Sequence, residues 1–215
     1  MTSLHHGVQV PLGERFSPVI RESFARGTYE STELTVLRGL LREEDRVLEL
    51  GAGCGFLAAW CALRIGSARV CTVEADPQML GVLQATFRAN GVSPQVIFAA
   101  ASARGERRTL ERAKDFWSTR TSVTRDGIAS VAGARLDELL AQHLPTVLVV
   151  DIEGGERWLG PTALTGVRAV LLECHSRADR TAVDDWLLPQ GFARSAERRR
   201  VRLYERTPWQ PPITM

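Results

Sequence analysis

The sequence predicts an α/β fold, with an open, mostly parallel sheet and helices on both of its faces. Short runs of Val, Leu and Ile alternate along the chain with segments whose apolar residues recur at helical spacing. The strand segments are apolar throughout, which is typical of parallel strands that are buried on both faces. The length of 215 residues and the 44% hydrophobic content fit one folded domain.

The amino-terminal half is predicted to begin outside the sheet. Residues 1–25 contain Pro11 and Pro18 and lack sustained periodicity, so we expect a loop or lid there. The rest of the chain, 26–215, is expected to form a single domain. A first amphipathic helix follows from Ser31, because leucines recur there at helical spacing. Strands and helices then alternate, with the first three strands predicted at 46–50, 68–75 and 95–101.

The carboxy-terminal half is predicted to continue this alternation. Residues 102–133 are rich in Arg, Ser and Thr, and we expect short strands or loops over one end of the sheet. Thr181 and Asp184 have the spacing of a capping box, which predicts a helix at that point. The last strand alternates in polarity, so we expect it to be antiparallel and near an edge. The other predicted elements are a helix at 135–143 and strands at 146–154, 167–175 and 199–207.

Charge and cysteine usage narrow the class of protein. The net charge is +2 with both signs interspersed, so no overall field favours nucleic acid or an anionic membrane. No apolar stretch approaches the roughly 20 residues that span a bilayer. The cysteines have neither a C-x-x-C pair nor metal-ligand spacing, which predicts reduced, buried thiols. We therefore expect a cytoplasmic protein that binds neither nucleic acid nor a membrane.

A glycine-rich loop follows the first predicted strand. The segment ELGAGCGF has the pattern G-x-G-x-G at Gly51, Gly53 and Gly55. A dinucleotide-binding loop would be G-x-G-x-x-G, with its third glycine where Phe56 stands. A tight strand–helix turn without a ligand is the alternative interpretation. Glycine at these positions would let the backbone lie against a ligand.

Two acids beside this loop indicate which ligand. Glu49, just before the glycines, would repel an anionic pyrophosphate and attract ammonium and sulfonium cations. Glu74 ends the second strand about 20 residues further on, where an acid can accept both ribose hydroxyls of an adenosine. The pair favours S-adenosylmethionine over a nicotinamide dinucleotide.

These segments resemble a known family. VLELGAGCG and VEADP resemble motifs I and II of the class I S-adenosylmethionine-dependent methyltransferases. LDELL, VLVVDIEGGE and VLLECH, with YESTEL and AAASARGE, resemble the FkbM-type members more specifically, over roughly residues 26–175. The resemblance implies a Rossmann-like class I methyltransferase fold with a seven-stranded sheet. It also implies O-methylation of a hydroxyl on a small molecule, of the sugar or natural-product type.

The resemblance and the rim rule for parallel sheets together suggest a set of cofactor-binding residues. The sequence departs from the family at Glu49 and Cys54, where the family more often has Asp and Asn, and at Val149, where it usually has Lys. The predicted cofactor-binding residues are Tyr29, Glu49, Gly51, Ala52, Gly53, Cys54, Gly55, Glu74, Ala75, Ala101, Ser102 and Asp151.

The acidic segment DIEGGE supplies the candidates for chemistry. Asp151, Glu153 and His175 are the predicted catalytic residues, because a hydroxyl acceptor must lose its proton to a base within hydrogen-bond reach. Glu156 is expected to cap a helix or pair with an arginine. A divalent metal is left open, with Asp151, Glu153 and Glu173 as candidate ligands.

Two other classes of function are compatible with the same sheet. One is a nicotinamide-dependent oxidoreductase, which the glycine spacing and Glu49 disfavour. The other is a non-catalytic protein that only binds S-adenosylmethionine. Trp117, Trp158 and the segment 117–123 are candidates for a substrate pocket, or for core and loop. The sequence leaves the acceptor and the oligomeric state open.

Overall fold

The computed structural model describes residues 2–111, 120–122 and 129–206. It contains short strands outside the main sheet as well as the strands of the sheet itself. The strands are β1 (Thr2–His5), β2 (Val8–Pro11), β3 (Val47–Leu50), β4 (Val70–Glu74), β5 (Gln95–Phe98), β6 (Ala100–Ser102), β7 (Arg108–Glu111), β8 (Arg120–Ser122), β9 (Ala129–Val131), β10 (Gly133–Arg135), β11 (Val147–Val150), β12 (Ala169–Glu173), β13 (Phe192–Arg198) and β14 (Val201–Arg206). The α-helices are α1 (Pro18–Ala25), α2 (Ser31–Leu40), α3 (Phe56–Ile65), α4 (Leu80–Ala89), α5 (Leu136–His143) and α6 (Arg177–Leu187).

The central sheet has seven strands in the order β13-β14-β12-β11-β3-β4-β5. The strands from β12 to β5 are parallel, whereas β14 pairs antiparallel with both β12 and β13. From β3 the chain continues to β4 and β5 on one side of the sheet, and later to β11 and β12 on the other side. The strand order therefore reverses between β3 and β11, and open α/β sheets bind ligands at such a switch point. The predicted fold class, including the antiparallel strand near the carboxy-terminal end, is confirmed.

Helices cover the sheet on both faces. On one face the core includes residues of α1, α2, α3 and α4, and on the other it includes residues of α5 and α6. Strand β11 shows the division: Val147 and Val149 pack into the first core, and Leu148 and Val150 into the second. Successive side chains of a strand point to opposite faces, so a strand with both faces covered must be apolar throughout.

Residues 2–25 contain two strands and a helix, where a loop or lid without regular structure was expected. β1 and β2 form an antiparallel hairpin whose Val8 and Val10 are fully buried. Pro18 stands in the first turn of α1, where its fixed φ suits a helix, and the Ser17 side chain caps that helix. The backbone of Gln9 exchanges two hydrogen bonds with the Asn90 side chain at the end of α4. These two hydrogen bonds attach the hairpin to the end of α4.

Three further elements differ from the predictions. The third predicted strand divides at Ala99 into β5 and β6, and β6 pairs with β10 instead of joining the main sheet. The helix predicted from Thr181 already begins after its cap, Ser176. Strand β13 was not predicted, because most of its residues are exposed and show no apolar pattern. In 102–133 the short strands β7, β8 and β9 form a small antiparallel sheet, as expected.

No helix within the described residues is long and apolar enough to cross a membrane. The four cysteines are buried and unpaired, as predicted.

Candidate active site

A cavity of about 360 Å³ opens at the carboxyl ends of the central strands. Residues that end or follow β3, β4, β11 and β12 form its base, and residues of α1 and of the segment before α2 form one wall. This is where ligands bind in open parallel sheets. The residues contributed by the sheet rim include Leu50, Gly51, Gly53, Glu74, Ala75, Asp151, Glu153, Glu173 and His175.

The glycine loop fits tightly between neighbouring strands and helices. Gly51 has a φ of 91°, and a Cβ added to it would lie 1.7 Å from the backbone oxygen of Asp151. Gly55 has a φ of 78°, and an added Cβ would lie 2.7 Å from Leu83 Cδ2. Both positions require glycine for conformation and for space. The loop therefore brings the start of α3 and the end of β11 together at the cavity.

The Glu74 carboxylate is held at the cavity by backbone donors. Its Oε2 accepts a hydrogen bond from Gly53 N at 2.9 Å, and its Oε1 accepts one from Asp76 N at 2.7 Å. Burial raises the pKa of Glu74 to about 7, although these two donors oppose the rise. A carboxylate oxygen can accept more than one hydrogen bond, so Glu74 can still accept from the hydroxyls of a ribose.

His175 lies among four carboxylates at the rim. Its Nδ1 is 2.8 Å from Glu156 Oε1, and its Nε2 is 3.3 Å from Glu153 Oε2. The same Nε2 lies 3.6 Å from Asp151 Oδ1 and 3.9 Å from Glu173 Oε1. Only 7% of the His175 side chain is exposed, so water screens these interactions weakly. The fold thus brings the segments DIEGGE and ECH together around one imidazole.

These charges shift the protonation of the cluster. Burial alone would lower the pKa of His175, but hydrogen bonds to Glu153 and Glu156 and the charge of Asp151 raise it to about 11. Burial, followed by the charge of Glu173, raises the pKa of Asp151 well above its usual range. Burial likewise raises the pKa of Glu173. At neutral pH the imidazole is therefore a cation, and Asp151 and Glu173 take up a proton more readily than free carboxyl groups do.

Three members of this cluster have the spacing of metal ligands. One ligand atom each of Asp151, Glu173 and His175 lies within 4.8 Å of the others. Carboxylate and imidazole groups are ligands for divalent ions, and the hydrogen bond that Nδ1 donates to Glu156 would orient Nε2 toward an ion. These three residues would hold a divalent ion once Nε2 had lost its proton, because a metal binds only a deprotonated imidazole nitrogen. Glu153, which the sequence suggested as a ligand, is not part of this group.

The predicted cofactor-binding residues fall into two groups. Those that line the cavity come from the segment before α2, the glycine loop and the ends of strands. They are Tyr29, Gly51, Gly53, Glu74, Ala75, Ala101 and Asp151. Ala52 and Gly55 belong to the glycine loop, but they are not among the described residues that line the cavity.

Glu49, Cys54 and Ser102 do not line this cavity, and their predicted contact with a cofactor stays a prediction. Glu49 Oε2 accepts a hydrogen bond of 2.5 Å from Thr72 within the sheet, and burial raises the pKa of Glu49 to about 7. Cys54 Sγ lies behind the loop, 3.5 Å from the Tyr29 hydroxyl. Ser102 Oγ donates to Glu106 Oε2 at 2.9 Å. These three side chains therefore have hydrogen-bond partners within the protein.

Several residues that line the cavity were not predicted. Ile20 and Ser23 belong to residues 1–25, where a loop or lid was expected, and no signal in the sequence pointed to Thr28 or Arg200. Glu30 also lines the cavity, and the segment YESTEL, in which it follows Tyr29, is the signal that the sequence offers for it.

Trp158, one of the two tryptophans considered for a substrate pocket, does not line the cavity. Trp158 is 41% exposed and lies against the guanidinium groups of Arg108 and Arg157. Trp117 and most of the segment 117–123 lie outside the described residues.

Comparison with known proteins supports a methyltransferase fold. Residues 24–111 match the family model described as methyltransferase small domain. The ribosomal protein L11 methyltransferase of Aliivibrio fischeri (strain MJ11) is 34% identical over 76 residues, which is 34% of this chain and 26% of the relative. The ribosomal protein L11 methyltransferase of Klebsiella pneumoniae is 28% identical over 166 residues, which is 75% of this chain and 48% of the relative. The chain thus spans about a quarter to a half of the length of these relatives.

Solved structures share the fold at low identity. Precorrin-6y C5,15-methyltransferase of Geobacter metallireducens aligns with a TM-score of 0.50 and 14% identity, over 92% of this chain and 94% of that chain. TYW2 of M. jannaschii, solved in complex with AdoMet, aligns with a TM-score of 0.50 and 12% identity, over 96% of this chain and 86% of that chain. Together these matches show the class I methyltransferase fold, and they do not reach the FkbM-type family.

Proposed function

We propose that this chain, which carries a class I, S-adenosylmethionine-dependent methyltransferase domain, methylates a hydroxyl group of a small molecule in the manner of FkbM-type enzymes. The observation that carries the proposal is the Asp151 carboxylate. Its Oδ1 is buried, lies 3.6 Å from His175 Nε2, and has no hydrogen-bond partner among the described residues, and the side chain lines the cavity beside the glycine loop. An acceptor atom without a hydrogen bond at this point is what a hydroxyl substrate requires.

When bound, S-adenosylmethionine supplies a methyl group on a sulfonium, which is transferred by in-line displacement. The acceptor oxygen forms the new bond to carbon while the carbon–sulfur bond breaks and its electron pair remains on sulfur. The acceptor's proton passes to the Asp151 carboxylate. The glycine loop, Glu74 and Asp151 contribute by alignment, because holding two reactants in line removes most of the entropic barrier.

His175 has a supporting role in this scheme. Both of its ring nitrogens face carboxylates: Nδ1 faces Glu156 at 2.8 Å, and Nε2 faces Glu153 at 3.3 Å. The imidazolium therefore holds the acidic segment in place, and Asp151 and Glu153 are the proton acceptors. This assignment favours a carboxylate as the base over the histidine.

The charge of the cavity favours a small, non-anionic acceptor. The described residues that line it include the acids Glu30, Glu74, Asp76, Asp151, Glu153 and Glu173, against the cations His175 and Arg200. Such a wall attracts a sulfonium and repels phosphate groups. We therefore propose that nucleic acid is not the acceptor.

A protein is the second candidate acceptor. The relatives in Aliivibrio fischeri and Klebsiella pneumoniae are named for ribosomal protein L11. An acidic cavity would also accept a cationic amine of a protein.

The test is a transfer assay with S-adenosylmethionine labelled in its methyl group. The acceptors are a panel of hydroxylated metabolites, a ribosomal protein fraction and total RNA. We expect label in a small hydroxylated molecule. We expect His175→Ala to slow turnover at least about a hundredfold while S-adenosylhomocysteine binds within a few-fold of wild type, and Asp151→Asn to slow turnover by at least as much. Asp137→Asn, at the exposed start of α5, is the matched control and should leave turnover unchanged. Label found only in protein or RNA, or full activity of both active-site variants, would contradict the proposal.

A further inference from the structure

Glu30 is an acidic residue of the cavity that the scheme above does not use. Glu30 lines the cavity together with Tyr29 and Asp151. Glu30 and Asp151 also line a smaller void next to Gly51. We propose that Glu30 is a cofactor-binding residue whose carboxylate, together with Asp151, binds the ammonium group of the methionine end of S-adenosylmethionine. The inference rests on the proposed cofactor site.

The backbone of Glu30 is in a conformation that favours glycine. Its φ is 45° and its ψ is 29°, which is the left-handed region. A side chain costs free energy there, and glycine would avoid that cost. Glu30 precedes α2 as its N-cap, but its side chain makes no capping hydrogen bond. Helix capping therefore does not explain why a carboxylate stands at this position, and its place at the cavity does.

The Glu30 carboxylate has no cationic partner among the described residues. Its hydrogen bond is with the Tyr29 hydroxyl, and the acids Glu33, Asp151 and Glu49 are the charged groups that raise its pKa, after burial, which raises it most. Burying like charges together is unfavourable unless a cation joins them. A ligand with a positive group would supply that cation.

The sheet order indicates which end of the cofactor meets Glu30. Glu74 ends β4 on one side of β3, and Asp151 follows β11 on the other side. If Glu74 accepts the ribose hydroxyls, the cofactor crosses the glycine loop and its amino-acid end reaches Asp151. The ammonium group belongs to that end, and Glu30 lies there.

The experiment measures binding of S-adenosylhomocysteine, which retains the ammonium group but has no sulfonium. Glu30→Gln keeps the size of the side chain and removes its charge, and Glu30→Gly removes both the carboxylate and the strain. We expect each variant to bind S-adenosylhomocysteine at least tenfold more weakly, with a Tm equal to or above that of wild type. Leu144→Gly is the matched control, because Leu144 has a φ of 46° and does not line the cavity. It should have the same effect on Tm and change the affinity less than twofold.

A second ligand identifies the group that Glu30 binds. The analogue of S-adenosylhomocysteine without its amino group should bind wild type and Glu30→Gln with equal affinity. Equal affinity of wild type and Glu30→Gln for S-adenosylhomocysteine would overturn the inference and leave the proposed function standing. An equal loss of affinity for both ligands would also overturn it. Failure of wild type to bind S-adenosylhomocysteine at all would overturn both proposals.

Discussion

At the scale of single residues, the site depends on close backbone approach at Gly51. The backbone oxygen of Asp151 occupies the space where a side chain of Gly51 would begin. The same contact fixes Asp151 beside the loop, so the position of the acid and the shape of the loop are set together. A side chain at Gly51 would therefore change the strand packing and the site at once.

Gly51→Ala tests this contact, with Gly66→Ala as its control. Both glycines have positive φ, 91° and 87°, but an added Cβ at Gly66 meets nothing within 4 Å. We expect Gly66→Ala to lower the free energy of unfolding by about 1–2 kcal/mol from backbone strain alone. Gly51→Ala adds a steric cost of about 1–3 kcal/mol and should lose at least about tenfold in cofactor affinity. Urea unfolding measures the change in the free energy of unfolding, and titration with the cofactor measures the change in affinity. Equal effects of the two substitutions would contradict the account.

At the scale of elements, a buried ion pair joins the amino ends of neighbouring strands. Arg168, just before β12, donates to both carboxylate oxygens of Asp45, which precedes β3. Asp45 also accepts from the hydroxyl of Thr146, just before β11, at 2.6 Å. Arg168 and Asp45 are 3% and 1% exposed. These interactions connect the amino ends of β3, β11 and β12, at the end of the sheet opposite to the cavity.

Asp45→Asn should lower the free energy of unfolding by about 3–5 kcal/mol, because it leaves Arg168 buried without its counter-charge. Burial would raise the pKa of Asp45, but hydrogen bonds from Arg168, Thr146 and Arg42 outweigh it and hold the pKa below its usual value. A depressed pKa in the folded state stabilises the protein above the unfolded pKa of about 4, and that stabilisation is lost as the pH falls through the folded pKa.

The difference in stability between wild type and Asp45→Asn should therefore be constant above about pH 5 and shrink below about pH 4. Denaturant unfolding across this range measures it. Glu43→Gln, at an exposed position in the same turn, is the control and should be neutral at every pH. A difference that grew toward low pH would contradict the assigned role of Asp45.

The elements differ in how well their sequence predicts them. Strands of the buried sheet were predicted because each must be apolar on both faces, as β11 shows with Val147–Val150. The hairpin β1–β2 was missed because its two strands are short and only Val8 and Val10 carry the pattern. Strand β13 was missed because an edge strand with exposed side chains has no apolar period.

At the scale of the whole molecule, the sheet order builds the site from distant segments. Glu30, Glu74, Asp151 and His175 meet at one cavity because the strands that carry the last three end at the same rim. The rim was predictable from the rule for parallel sheets. The contact of His175 with four carboxylates was not, because it depends on side-chain directions after the strands end. The same limit applies to the hydrogen bonds of Glu49, Cys54 and Ser102 with Thr72, Tyr29 and Glu106.

The most direct test of the account is calorimetric titration of the intact chain with S-adenosylhomocysteine and, separately, with NAD. The account predicts binding of S-adenosylhomocysteine at one site per chain with micromolar affinity, and no measurable heat with NAD. Absence of heat with S-adenosylhomocysteine, or micromolar binding of NAD, would contradict it.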